Sequence, residues 1–119
     1  MSMKAFFVKV RENYVMNQVA RLKIPKLPND EYVRYRVRFS GRVQHVGFRL
    51  EVSELAKRLE VTGYCKNLEN GDVLAEFQGM KNRIVFILRF MDSLKRIKIK
   101  EKKMKKLELN FEEEQFETF

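Results

Sequence analysis

Apolar residues alternate with polar ones in several stretches of the chain, as they do in a strand with one buried face. The clearest stretch is residues 32–40, in which Val33, Val37 and Phe39 alternate with arginines. Two other stretches repeat their apolar residues at helical spacing, which is typical of a helix with one buried face. The pattern predicts strands at residues 32–40, 62–68, 73–79, 105–111 and 116–119, and helices at residues 48–61 and 81–95.

The order of these elements indicates the fold class. Strand, helix, strand, strand, helix and strand follow one another, and Asn70-Gly71 marks a hairpin turn between the second and third strands. Two amphipathic helices with alternating strands suit one antiparallel sheet that carries both helices on a single face. We therefore expect an α+β sandwich of the ferredoxin-like βαββαβ type, formed by residues 31–119.

Residues 1–30 precede this domain as an N-terminal extension. Apolar residues at helical spacing predict an amphipathic helix in residues 1–24, and two prolines then mark residues 25–30 as a linker. The apolar positions of this helix are Phe7, Val10, Tyr14, Val15, Val19 and Leu22.

The composition describes a basic, single-domain protein. The 119 residues carry a formal net charge of +9, which attracts anions such as nucleic acid or phosphorylated metabolites. Residues 95–106 hold eight basic side chains and one acidic side chain. We interpret this run as a solvated connection and keep a nucleic-acid patch as the alternative, because no aromatic residues interleave with the lysines to stack on bases.

Counts of particular residues exclude several kinds of site. Cys65 is the one cysteine, which excludes an internal disulfide, and His45 is the one histidine, which excludes a multi-histidine metal site. We expect Cys65 to be a packed strand residue. No apolar run approaches the roughly 20 residues that a membrane-spanning helix needs. A cytoplasmic location without membrane association is therefore the expectation.

The segment from residue 41 to residue 49 leaves the first strand and opens the first helix of the domain. Unpaired N–H groups at a helix start attract anions, and Arg49, at the start of the helix, has a guanidinium that can bind phosphate oxygens in pairs. The segment therefore suggests an oxyanion site, although a surface arginine beside an ordinary loop is the commoner case. Asn67, before the hairpin, is either a turn residue or a group that orients water.

The two motifs together resemble those of the acylphosphatase family. Gly41-Arg42-Val43-Gln44-His45-Val46-Gly47-Phe48-Arg49 is similar to the phosphate-binding loop G-x-V-Q-G-V-x-F-R. The stretch that begins Gly63-Tyr64-Cys65-Lys66-Asn67 and continues to Gly79 is similar to the family's second motif. The resemblance covers residues 32–119 and implies hydrolysis of acyl phosphates to a carboxylate and inorganic phosphate, without metal, cofactor or covalent intermediate.

The resemblance also implies roles for individual residues. Arg49 matches the arginine that holds the phosphoryl group, and Asn67 matches the asparagine that positions the attacking water. The phosphate-binding residues implied are Gln44, His45, Val46, Gly47, Phe48 and Arg49.

His45 departs from the family pattern, which has glycine at this position. Histidine tolerates a positive φ better than most residues, at a cost of about 1–2 kcal/mol. We expect the loop to keep its shape with the imidazole toward solvent and activity to survive. The alternatives are an imidazole that flanks the phosphate and a distorted, inactive loop.

Two functions of other classes compete with hydrolysis. A ferredoxin-like sheet with a positive charge suits nucleic-acid binding, but the strand at residues 73–79 lacks the aromatic RNA-binding pattern. A non-catalytic interaction module is the other alternative, in which the helix in residues 1–24 dimerises or docks through Phe6, Phe7 and Tyr14.

Overall fold

The computed structural model describes residues 2–119, which form three helices and five strands. In chain order these are α1 Met3–Arg21, β1 Tyr32–Arg42, α2 Phe48–Arg58, β2 Thr62–Asn67, β3 Val73–Met80, α3 Lys81–Ser93, β4 Lys98–Leu107 and β5 Phe116–Thr118.

The strands form one sheet in the order β4-β1-β3-β2-β5. β1 pairs antiparallel with β3 and with β4, and β2 pairs antiparallel with β3. The predicted ferredoxin-like α+β architecture is confirmed. β5 differs from the expected antiparallel arrangement because it runs parallel to β2, with Gly63 opposite Phe116. Between β4 and β5, the chain crosses from one edge of the sheet to the other.

Helices α2 and α3 bury the apolar face of the sheet. Val33, Val37 and Phe39 of β1 are buried as their alternation predicts, and Phe39 packs edge-to-face on Phe48 of α2 with ring centroids 4.9 Å apart. From α3, Ile84, Ile87 and Met91 complete this core. The contact between Phe39 and Phe48 packs β1 against the start of α2, the two elements that the loop at residues 43–47 connects.

The fourth strand is not where the alternation places it. The expected strand at residues 105–111 is wrong: β4 spans Lys98–Leu107, and Phe111 lies in the following loop with 89% of its surface exposed. The lysine run at residues 95–106 is therefore mostly an edge strand and not a connection, although its lysines are solvated. An edge strand gains its main-chain hydrogen bonds from β1, so it needs little apolar alternation, and lysines protect its open side.

The N-terminal helix α1 packs against α2 and joins the same core. Val15 and Val19 are buried there, whereas Phe7, Val10 and Tyr14 remain exposed. Arg58, at the end of α2, donates hydrogen bonds to the main-chain oxygens of Val19 and Leu22 near the end of α1. Residues 3–21 are thus helical, and Val15 and Val19 are the buried residues of this helix. None of the helices within residues 2–119 has the length and apolar character to cross a bilayer.

Candidate active site

A cavity of about 400 Å³ lies where β1 gives way to α2. The end of β2, the end of β5 and one face of α1 close its other sides. Its lining includes Arg11, Glu12, His45, Gly47, Arg49, Lys57, Asn67 and Thr118. The structure therefore brings the two site residues predicted from sequence, Arg49 and Asn67, to one hollow together with residues of the N-terminal extension.

The loop before α2 contains two residues in the left-handed conformation. His45 has φ 61° and Gly47 has φ 80°, and Gly47 caps the start of α2. The left-handed conformation at His45 agrees with the expectation for a position at which the family pattern has glycine, and the side chain is exposed. A Cβ atom at Gly47 would lie 3.3 Å from Cγ2 of Val15, so glycine there also allows α1 to approach closely.

The main-chain N–H groups of the loop and of the first helical turn are unpaired. Among residues 2–119, no acceptor takes a hydrogen bond from the N–H groups of residues 44–50, and the first bond of α2 runs from Glu51 back to Gly47 at 3.0 Å. Consecutive free N–H groups at a helix start form a concave set of donors that favours an anion. Of the residues that carry these N–H groups, those that line the cavity are His45, Gly47, Phe48, Arg49 and Leu50.

Two arginines from distant parts of the chain hold the carbonyl groups of the same loop. Nη1 of Arg11 donates to the main-chain oxygen of His45 at 2.7 Å, and Nε of Arg96 donates to that of Val46 at 2.8 Å. Arg96 also donates from Nη2 to Glu51 at 2.7 Å. Burial raises the pKa of the Glu51 carboxyl, and the hydrogen bond and charge of Arg96 oppose that rise.

Arg49 occupies the second position of α2 and lines the cavity while half-buried. Its Nη1 donates to the main-chain oxygen of Phe119 at 2.6 Å. A guanidinium has five N–H donors, so the remaining ones are available to a ligand. The side chain is thus held beside the unpaired N–H groups.

Asn67 ends β2 on the opposite side of the cavity. No hydrogen bond engages its side-chain amide within the part of the chain that the structure describes, so both the donor and the acceptor are free to hold water. The neighbouring Gln44 donates from Nε2 to the main-chain oxygens of Leu68 and Asp72, each at 2.8 Å. Gln44 thereby ties the loop to the hairpin that carries Asn67.

Of the remaining predicted binding residues, His45, Gly47 and Phe48 line the cavity, whereas Gln44 and Val46 are not among its lining residues. Val46 and Phe48 are buried in the core, and the Gln44 amide serves the hairpin. Cys65 is buried beneath the site, as expected, and burial raises the pKa of its thiol to about 12. Within residues 2–119, no three His, Cys, Asp or Glu side chains cluster closely enough to hold a metal ion.

Residues 35–118 match the family model described as acylphosphatase. The chain belongs to the acylphosphatase family. An acylphosphatase from Clostridium beijerinckii is 44% identical over 64 residues, which cover 54% of this chain and 68% of that protein. An acylphosphatase from Nostoc is 36% identical over 63 residues, covering 53% of this chain and 62% of that relative, so the chain spans less than two thirds of it. The predicted family and its reaction class, hydrolysis of acyl phosphates, are confirmed.

Solved structures of acylphosphatases have the same fold. The enzyme from Coxiella burnetii matches with a TM-score of 0.68 and 25% identity, covering 74% of this chain and 93% of that one. The enzyme from Bacillus subtilis matches with a TM-score of 0.68 and 24% identity, covering 73% of this chain and 98% of that one. These neighbours are thus matched over almost their whole length.

Several residues of the site were not predicted from the sequence. Arg11 and Arg96 hold loop carbonyls from 34 and 50 residues away, and Thr118 lines the cavity from β5. No local pattern distinguishes these arginines from the other basic residues, since their role depends on packing across the fold. The helical spacing of α1 did predict a helix, but nothing in it indicated which domain surface the helix covers.

Proposed function

We propose that this chain hydrolyses acyl phosphates by direct attack of water on phosphorus in the cavity between the loop at residues 44–49 and Asn67. Arg49 and the loop N–H groups hold the phosphoryl oxygens, and Asn67 orients the water. One observation supports the proposal: a half-buried guanidinium, an unengaged carboxamide and several unpaired N–H donors lie around one hollow.

The sparse set of groups is sufficient for this reaction. The leaving group is a carboxylate, whose conjugate acid has a pKa of about 4, so it departs without a proton from a general acid. Phosphoryl transfer then depends on positioning and on stabilising charge at the equatorial oxygens. A planar guanidinium together with fixed N–H dipoles provides that stabilisation. The P–O bond to the carboxylate breaks as the bond to water forms, and the water's proton passes to solvent.

The charges around the cavity favour a dianionic substrate. Arg11 lines it from α1, and Arg49 and Lys57 line it from α2, with Glu12 and Glu54 also in the lining. The Lys57 ammonium lies 3.4 Å from Glu54, which offsets part of its charge. Arg11 and Arg49 are then the principal cations, within a protein whose formal net charge of +9 attracts anions.

The proposed partners are a small acyl phosphate and inorganic phosphate. Neither a nucleic-acid role for the exposed lysines of β4 nor self-association through residues 1–24 enters the proposal. Both were alternatives to hydrolysis and are not part of the prediction, whereas a cytoplasmic location without membrane association stays a prediction. β4 contains no aromatic residue on which RNA bases could stack, so it does not favour the RNA-binding alternative.

Hydrolysis of benzoyl phosphate in ¹⁸O-labelled water tests the proposal. Attack at phosphorus places the label in inorganic phosphate and leaves benzoate unlabelled, and release must exceed the spontaneous rate. Arg49→Ala protein prepared in the same way is the matched control, because a contaminating phosphatase would survive that substitution. Label in benzoate, or equal rates for native and Arg49→Ala protein, would show the proposed mechanism to be wrong.

A further inference from the structure

We propose that Arg11, on the N-terminal helix α1, is a positioning residue of the phosphate site that orients the N–H groups of the loop at residues 44–49. The inference rests on the proposed function and extends it to a segment outside the acylphosphatase domain, because the family match begins at residue 35. In this view α1 is part of the site and not only an addition to the core.

The helix that carries Arg11 is firmly attached to the domain. Val15, one helical turn after Arg11, is fully buried and lies against Gly47 of the loop. Arg58 binds two main-chain oxygens near the end of α1. The Tyr14 ring lies under the guanidinium of Arg96, with 5.8 Å between the guanidinium carbon and the ring centroid. Arg11 is therefore presented to the loop from a fixed element.

The direction of each loop N–H group follows from the carbonyl on the same peptide unit. A trans peptide is planar, so its C=O and N–H point in opposite directions. Arg11 holds the carbonyl of His45, which turns the N–H of Val46 away from Arg11. Arg96 holds the carbonyl of Val46, which turns the N–H of Gly47 away from Arg96. Two successive N–H groups are thus fixed in direction by arginines that bind the carbonyl oxygens of the same peptide units.

This support matters most at the peptide unit between His45 and Val46. A flip of that unit would exchange N–H for C=O and present a carbonyl oxygen to the bound anion. His45 already has a left-handed φ of 61°, a conformation that costs a non-glycine residue free energy. A charge-assisted hydrogen bond from Arg11 opposes the flip, because the flipped carbonyl would lose it.

Substitutions of Arg11 in the full chain test the inference. Arg11→Met keeps an apolar stem against Gly47 but lacks the guanidinium, and Arg11→Lys keeps the charge without the planar fork. Lys9→Met is the matched control, since it removes one positive charge from an exposed position of the same helix. The measurements are the Kd of inorganic phosphate, kcat and KM for benzoyl phosphate, and the ¹H–¹⁵N spectrum during a phosphate titration.

We expect Arg11→Met to weaken phosphate binding about tenfold and to raise KM similarly, the typical effect of losing one charge-assisted hydrogen bond. Arg11→Lys should recover part of the loss, and Lys9→Met should match the native chain. The phosphate-induced shifts of the Val46 and Gly47 amides should shrink in Arg11→Met, a change that a general loss of stability would not confine to these two residues.

The contrary results distinguish a failure of the role proposed for Arg11 from a failure of the proposed function. Suppose that the native chain hydrolyses benzoyl phosphate and binds phosphate, and that Arg11→Met has the same phosphate Kd and KM as Lys9→Met. This result would overturn the role of Arg11 and leave the proposed function intact. A native chain that neither binds phosphate nor hydrolyses benzoyl phosphate would overturn both. If Arg11→Met fails to fold, Arg11→Lys decides the question: a native phosphate Kd and native amide shifts in that variant would refute the inference.

Discussion

Nη1 of Arg49 donates a hydrogen bond of 2.6 Å to the main-chain oxygen of Phe119, which joins the first turn of α2 to the end of β5. A long side chain that is already held loses less conformational entropy when a ligand binds. The bond occupies one of the guanidinium donors and leaves the others beside the unpaired N–H groups of the loop. The edge strand β5 thereby preorganises the cation of the site.

Arg49→Ala should abolish most turnover and weaken phosphate binding. The substitution removes a cation that makes paired hydrogen bonds to phosphoryl oxygens, for which we expect a loss of about 10²–10³ in kcat/KM. Arg49→Lys is the control for charge, and it should recover little because an ammonium lacks the planar fork. Steady-state kinetics with benzoyl phosphate and calorimetric titration with phosphate measure both effects. Native kinetics in Arg49→Lys would mean that charge alone suffices.

Asn67→Ala should separate catalysis from binding. If the carboxamide only orients water, kcat falls by about 10²-fold while the Kd of inorganic phosphate stays close to that of the native chain. Asn70→Ala is the matched control, because Asn70 lies in the same hairpin and its side chain bonds Asp72 instead of facing the cavity. Normal cleavage by Asn67→Ala would show that the water-positioning role is wrong.

The fold was largely predictable because its elements have the periodicity that burial requires. Residues 32–40 alternate so clearly that β1 is placed almost to its ends, and the helical spacing after Phe48 locates α2. β4 was misplaced because an edge strand needs main-chain partners more than apolar side chains. The resemblance to the family named Arg49 and Asn67, whereas Arg11 reaches the site only through tertiary packing.

His45→Gly should preserve the loop and its activity. Glycine adopts the observed φ of 61° without strain, but it also gives the unfolded chain more freedom, so we expect stability to change by less than about 1 kcal/mol. Because Arg11 binds the main-chain oxygen of residue 45, that hydrogen bond survives the substitution. Urea denaturation and turnover of benzoyl phosphate check both statements. An inactive native chain that the glycine variant rescues would show that histidine distorts the loop.

Cys65 should resist thiol reagents in the folded protein. Its side chain is fully buried, and burial raises the pKa of its thiol to about 12, so little thiolate exists at neutral pH. A chromogenic disulfide reagent should react with the native chain only as fast as the chain opens, and at once in urea. Cys65→Ala gives the background rate. Rapid labelling of native protein would mean that β2 opens readily beside the site.

The buried carboxyl of Glu51 should give the stability a distinct pH dependence. Burial raises its pKa above the ordinary 4.5, with Arg96 opposing, so the folded state holds the proton to a higher pH than the unfolded state does. The stability of the native chain relative to Glu51→Gln should therefore decrease as the pH rises from about 4.5 through the folded-state pKa.

Urea denaturation of both chains between about pH 4 and pH 8 measures this difference. Groups with lowered pKa values, such as Asp72 and Glu76, have the opposite pH dependence, but they are present in both chains and cancel in the comparison. Arg96→Met should steepen the decrease, since it removes the group that opposes the rise in the Glu51 pKa. A difference that increases with pH would show that attraction to Arg96 outweighs burial at this carboxyl.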